Sequence, residues 1–335
     1  MSVSRFYHIS LNGDFERMAT LQDALAALKN GGYIWVEYYD PTREELNLLV
    51  EPFGLHPLAI EDCTDENQIP KVEDFPNHSF ILFNGFDYSG KSIVIHEIDL
   101  LIGDRWLVSV GKCGEDGQPY LKKMDQYIER NIETCRQGPA YAAYTFLDYV
   151  VDRKFVAIEK LEDDLNAAED DILHEVAAFD PSKLLDLRRD LLAVRKSLFH
   201  EREILVRISR GDYRFIPSKT LIYFRDIYDH LAKFFELTES YREIETSLME
   251  MYLSLINNQM AKFANETNIT VRRLTFITTI FMPLTLLAGI GGMSEYSMMT
   301  GPENWHISYP LFLLGMVVIG MISYFLLRLI ERKRD

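Results

Sequence analysis

The chain has 335 residues, a formal net charge of −16 and 47% hydrophobic residues, with a mean hydropathy of −0.09. That acidity excludes a nucleic-acid surface, whose phosphates demand clustered basic residues, and suits a surroundings that concentrates cations. Cys63, Cys113 and Cys135 are odd in number and show no CxxC spacing, so reduced thiols are expected rather than a disulfide framework or a zinc site.

In chain order, residues 1–115 read as an α/β domain. The N-terminus, MSVSRFYHIS, has no signal-peptide h-region. Strands are predicted at Arg5–Ser10, Tyr33–Tyr39, Phe80–Tyr88, Ser92–Ile102 and Trp106–Val110, with helices at Thr20–Lys29, Thr42–Val50 and Pro57–Asp62. Gly31-Gly32 and Ser89-Gly90 are turn signals between them. From about Gly117 the apolar period becomes 3.6, and residues 116–271 read as a helical stalk. Ala140–Ala177 carries Phe146, Val150, Phe155, Ile158 and Leu161 in register and ends at Pro181; Ser182–Arg210 carries Leu184, Leu187, Leu191, Val194 and Leu198 and stops at Gly211. Glu162, Asp163, Asp164, Glu169, Asp170 and Asp171 form a solvated acidic helix face. No Pro occurs between Pro217 and Pro283, which predicts one helix from Ser218 to Ile290, roughly 110 Å long. A helix of that length requires partners, either the two preceding helices or further copies of itself.

The end of the chain is read as a membrane hairpin. Arg272 and Arg273 precede an apolar run from Leu274 to Ile290, and a second run spans Ile307 to Leu327, followed by Arg328, Glu331, Arg332, Lys333 and Arg334. Helices of this length cross a hydrocarbon core of about 30 Å. The predicted segments are a first transmembrane helix at 272–290, an extracytoplasmic loop at 291–306, a second transmembrane helix at 307–328 and a basic cytosolic tail at 329–335. The loop has no Lys or Arg and carries Glu295 and Glu303, so the positive-inside rule places both termini in the cytoplasm. Two helices cannot enclose a pathway, so transport requires an oligomer. On the first span, Val271, Leu274, Thr275, Thr278, Met282, Thr285 and Gly289 share a stripe about 100° wide. The stripe can line a pathway, or its small residues can allow tight helix packing. Neither span holds Asp, Glu, Lys or His, which excludes the usual carboxylate proton relay.

Several blocks resemble the CorA divalent-metal transporter family. Ile280-Phe281-Met282-Pro283-Leu284-Thr285, followed by Ala288-Gly289-Ile290-Gly291-Gly292-Met293, is similar to that family's pore helix. His56-Pro57-Leu58-Ala59-Ile60-Glu61-Asp62 with Gln68-Ile69-Pro70-Lys71-Val72-Glu73, Leu147-Asp148 with Lys160-Leu161-Glu162, and Tyr223-Phe224-Arg225-Asp226-Ile227-Tyr228-Asp229-His230 agree in the right order. The resemblance implies an α+β membrane protein: an α/β cytosolic domain, a long helical stalk and a two-helix transmembrane hairpin in a funnel-shaped homopentamer, with five first spans around the pore. It implies a transporter rather than an enzyme. The implied ligand is Mg2+, with Co2+ or Ni2+ as further cargo, serving as both substrate and regulatory ligand; no organic cofactor is expected. The implied partners are other copies of the chain, membrane lipid and divalent cations.

The resemblance also assigns residues. Asn268 falls at the inner mouth, Val271, Leu274 and Met282 form apolar constrictions, and Thr278, Thr285, Gly289, Gly292, Met293 and Ser294 belong to the pore and its selectivity end. Glu61, Asp62, Asp148 and Asp226 match an inter-subunit regulatory metal site, a set that hard divalent cations accept. Glu295 and Glu303 would attract cations at the outer mouth. Two departures stand out. Gly-Gly-Met-Ser replaces the aromatic-Gly-Met-Asn signature, putting the shorter Ser294 where the family has Asn, and Met260–Glu266 adds about seven residues, close to two helical turns. The altered mouth leaves two rival readings open: the zinc-transporting ZntB branch, and a non-conducting membrane-tethered sensor or scaffold.

Overall fold

The structure, a computed structural model, describes residues 2–65, 68–90, 92–114, 118–211, 213–292, 301 and 303–332. It divides into two compact units, Met1–Tyr252 and Leu253–Asp335.

The first unit begins with β1 (Val3–Ile9), β2 (Phe15–Met18), α1 (Leu21–Ala27), β3 (Tyr33–Tyr39), α2 (Arg43–Asn47), α3 (Val50–Phe53), α4 (Pro57–Thr64), β4 (Lys71–Asp74), β5 (Ser79–Tyr88), β6 (Ile93–Ile102) and β7 (Trp106–Gly111). The strands form one seven-stranded sheet in the order β2-β1-β3-β7-β6-β5-β4. Among the described residues, the central β3–β7 pairing is parallel and the other strand pairs are antiparallel. Strands β2 and β4 are absent from the sequence prediction because each is only four residues long and at least half polar. They close the two edges of the sheet, where short charged strands discourage pairing with other chains.

Local chemistry fixes the connections. Thr20 and Thr42 each form a capping box, with Asp23 and Glu45 returning the bond to the cap backbone. Gly32 turns the chain into β3 at φ 72°, where a Cβ would lie 2.1 Å from the Ile9 carbonyl oxygen, so only glycine fits. The two faces of the sheet separate by the period-2 alternation of β-strands. Ile34, Val36, Phe80, Leu82, Leu101, Val108 and Val110 pack with Leu46, Leu49, Phe53, Ala59 and Ile60 from α2–α4. On the opposite face, Trp35 donates to Ser109 Oγ at 2.8 Å and meets Phe146 edge-on.

Phe146 belongs to the helical layer: α5 (Met124–Arg130), α6 (Ile132–Cys135), α7 (Pro139–Glu175), α8 (Ser182–Ser209) and the start of α9 (Leu221–Gly291). Helix α7 packs on β3, β5, β6 and β7. Helices α7 and α9 run parallel, because one sequence separation recurs along them in Tyr144–Tyr223, Phe155–Phe234 and Glu162–Tyr241. Helix α8 returns against both, with Lys183 on Asp171 and Arg195 on Glu239. A buried polar network ties this layer to the sheet. Lys154 pairs with Glu201, Glu201 accepts from the Asn84 amide at 2.9 Å, and Asn84 Nδ2 donates to Ser197 Oγ at 2.7 Å. Pairing of β4 with β5 ends at the Lys71–Leu82 register, so Glu201 takes up an amide just beyond it.

Cys63, Cys113 and Cys135 are free thiols. The last buried residue of α9 is Leu248. In the second unit the remainder of α9 is joined by α10 (Trp305–Arg332). Both helices are long and apolar enough to cross a membrane.

Candidate ion pathway and regulatory carboxylates

The hairpin shows which face of α9 is covered within one chain. Phe276, Ile280, Pro283, Leu284, Leu287 and Gly291 are partly shielded, and their spacing follows one helical stripe. Helix α10 supplies the cover: the Phe312 ring stands over Gly291, and Leu284 reaches Gly320. Asn268, Val271, Leu274, Thr275, Thr278, Met282, Thr285 and Gly289 are all exposed. The polar stripe is therefore not the surface that packs on α10. Placed at 3.6 residues per turn, its centre lies about 130° from Leu284.

The threonines on this stripe are chemically biased. Thr275, Thr278 and Thr285 each donate the hydroxyl proton to the carbonyl one turn back, at 2.9, 2.9 and 2.8 Å. The outward side of each oxygen then offers lone pairs rather than a proton, which suits a cation or its hydration waters. The helical hydrogen bonding runs on to Gly292, whose amide donates to Ala288 O at 3.0 Å. The carbonyls of Gly289, Ile290 and Gly291 thus fall in the last turn, where the helix dipole is negative. Glu303 is exposed. Met293, Ser294 and Glu295 lie outside the described residues.

The four predicted regulatory carboxylates sit on three helices. Glu61 is exposed on α4, and its neighbour Asp62 is bridged by Lys71 Nζ at 2.7 Å. Asp148 on α7 accepts from the Tyr127 hydroxyl at 3.0 Å. Burial pushes the Asp148 carboxyl above its ordinary range, and Asp152 and Asp226 push it further the same way, while the Tyr127 bond and His230 oppose them. Asp226 on α9 lies 3.9 Å from His230 Nε2. Residues four apart on a helix face each other, so His230 rather than the adjacent Arg225 stands beside it. Among the described residues no group of three or more His, Cys, Asp or Glu side chains is gathered to hold a metal ion. Within one chain, Glu61 and Asp62 are neighbours on α4, while Asp148 feels the charges of Asp152, Asp226 and His230. Asp152 and His230 were not singled out from the sequence; each stands four residues after a predicted carboxylate, a signal that was present.

Residues 30–333 match the family described as CorA-like Mg2+ transporter protein. The chain belongs to that family. Among its relatives, the cobalt/magnesium transport protein CorA of Thermotoga maritima is 34% identical over 286 residues, covering 82% of this chain and 76% of that one. The putative metal ion transporter YfjQ of Bacillus subtilis is 32% identical over 296 residues, 88% of each. The complete structure of the CorA magnesium transporter from Methanocaldococcus jannaschii superposes with a TM-score of 0.68 at 24% identity, covering 97% of both chains. That likeness establishes the CorA fold over nearly the full length. The ZntB cytoplasmic domain from Vibrio parahaemolyticus shares the fold more distantly, with a TM-score of 0.55 at 10% identity over 76% of this chain and 98% of that one.

Proposed function

We propose that this chain is one subunit of a homopentameric, channel-like transporter that passes divalent cations inward across a cell (inner) membrane, Mg2+ foremost and Co2+ or Ni2+ as further cargo. Both termini face the cytoplasm in this arrangement. The observation that carries the reading is the exposed stripe of α9, whose threonines present oxygen lone pairs on the side that α10 leaves open. Five such stripes around an axis give rings of oxygen at Thr278 and Thr285 and apolar constrictions at Val271, Leu274 and Met282. Mg2+ holds its waters firmly, so a path of weak oxygen acceptors suits an ion that keeps most of its shell. A divalent ion gains roughly 4.6 kcal/mol per 100 mV of inward-driving potential, twice the monovalent value, and no nucleotide is needed to drive it.

Cytosolic divalent metal closes the transporter. The carboxylates of Asp148 and Asp226 on one subunit, completed by Glu61 and Asp62 of another, would hold a hydrated cation between copies, and their mutual repulsion without metal would loosen the interface. Support comes from the Asp148 carboxyl, which burial and the charge of Asp226 both raise, and from the lack, among the described residues of one chain, of three or more such side chains gathered to hold a metal.

Purified protein in liposomes, loaded with an ion-sensitive dye, tests the reading. Potential-driven entry of Mg2+, with Co2+ or Ni2+ competing, is expected. Entry of Zn2+ alone would assign the protein to the zinc-transporting alternative, and no flux of any divalent ion would leave a non-conducting sensor or scaffold.

A further inference from the structure

The two membrane-spanning helices are joined by a reciprocal pair of contacts. On α9, Gly291 is met by the Phe312 ring of α10: a Cβ placed on Gly291 would stand 2.6 Å from Phe312 Cζ, 3.0 Å from Cε1 and 3.1 Å from Cε2. On α10, Gly320 is met by α9: a Cβ there would lie 3.6 Å from Leu284 Cδ1. Each helix thus offers one glycine to one large side chain of the other. Leu284 and Gly291 are seven residues apart, two turns on the same face, about 10 Å along the axis. Two such contacts at different heights fix rotation as well as separation, which one contact cannot do. The tolerances differ. The contact at Gly320 is ordinary van der Waals distance. The Gly291 contact leaves no room for a methyl group, because even the far end of the ring would have to move.

The position of the tight contact gives it a function. Gly291 closes α9 as described, and the carbonyls of Gly289, Ile290 and Gly291 occupy its last turn. A displacement there re-aims those carbonyls and turns Thr285 with them, while the wide stripe below is less affected. We propose that Phe312 is a positioning residue: seated on Gly291, it sets the rotation of the outer end of the pore helix and thereby holds the last-turn carbonyls and the Thr285 oxygen toward the ion pathway. This rests on the transport reading above. It accounts for a residue without a side chain at position 291: the space is occupied from the other helix.

The test is a pair of substitutions examined alone and together, Gly291→Ala and Phe312→Leu, in the full-length protein. Two readouts separate the contact from its role. Thermal midpoints in detergent should show coupling, with the double substitution less destabilised than the sum of the singles; additive shifts would overturn the contact. In liposomes, Gly291→Ala should lower divalent-cation uptake at least tenfold and alter the ratio of Mg2+ to Co2+ entry, and adding Phe312→Leu should restore both to within about threefold of the parent. Gly291→Ala with parental uptake and ion ratio would overturn the positioning role, as would loss that Phe312→Leu does not relieve. If the parent itself passes no ions, the transport reading fails, and the stability coupling decides the contact independently.

Discussion

Lys154 on α7 and Glu201 on α8 form an ion pair with both side chains fully buried. The Lys154 ammonium also lies 4.1 Å from the centroid of Phe83 and 4.8 Å from that of Phe86, so aromatic faces rather than water complete its shell. Burial pulls the lysine below its ordinary range and pushes the glutamate above its own, while each partner's charge opposes the shift. The pair is held in place by the Asn84 amide. Breaking it from one side is the costly route: Lys154→Met should destabilise the first unit by about 3–5 kcal/mol because it strands a buried carboxylate. Lys154→Met with Glu201→Gln should recover at least half of that. Chemical denaturation followed by tryptophan fluorescence decides it, and an undiminished Lys154→Met protein would show that the pair contributes nothing.

Glu37 sets a pH dependence. Its carboxylate is 1% exposed and 3.1 Å from Arg5 Nη1, and Tyr39 Oη donates to it at 2.9 Å. Burial raises it to about 7, which Arg5 and the Tyr39 bond only partly offset, with Asp125 adding to the rise. A carboxyl raised in the folded state favours the fold when protonated. Stability from this group is therefore complete below the unfolded value near 4.5, and it falls as pH climbs to about 7, by roughly 3 kcal/mol in total. Glu37→Gln should flatten the thermal midpoint between pH 5 and 7.5. A variant with the parent's slope would assign the dependence to another group.

The proposed regulatory role of the carboxylates makes a functional prediction. Asp62→Asn with Asp226→Asn should leave uptake active but no longer closed by internal Mg2+, with the inhibitory concentration raised at least tenfold. Dye-loaded liposomes with set internal Mg2+ provide the measurement. Closure at the parent's concentration would remove these residues from regulation.

Ser294 should govern ion choice at the outer mouth. Ser294→Asn lengthens the acceptor and should shift preference toward Mg2+ over Co2+, while Ser294→Ala should weaken entry of both. Identical ion profiles in both variants would move discrimination inward, to Thr285.

In the proposed pentamer, Glu295 and Glu303 would place ten carboxylates around one mouth. Neutralising both should lower uptake severalfold at low ionic strength and little near 0.15 M salt, where screening acts over about 8 Å. A loss independent of salt would point to direct ligation or to loop structure.

Much of this architecture was legible because periodicity reports burial. The β3 prediction, Tyr33–Tyr39, coincides with the strand. Helices α8 and α9 start and stop within a few residues of their Pro and Gly signals, and the Thr-bearing stripe was found from spacing alone. Three features were not legible, for separate physical reasons. The edge strands β2 and β4 have too few apolar residues to alternate, and only their neighbours make them strands. The Lys154–Glu201 pair joins residues 47 apart, and no local pattern announces a charge whose partner lies on another helix. The seating of Phe312 on Gly291 depends on how two apolar helices register, which an apolar sequence barely specifies.

Residue 252 is the last of a unit whose core is already closed, and α9 buries nothing beyond Leu248. The ribosome therefore delivers the residues of that core before the apolar hairpin emerges, and domains folding from the N-terminus first follow that order. The hairpin, by contrast, exposes Leu274, Ile277, Phe281, Met282 and Leu286 along one helix and has no folded refuge in water. The two units thus place opposite demands on their surroundings, and a full chain held back from the bilayer would keep a folded first unit while its exposed hairpin drew copies together.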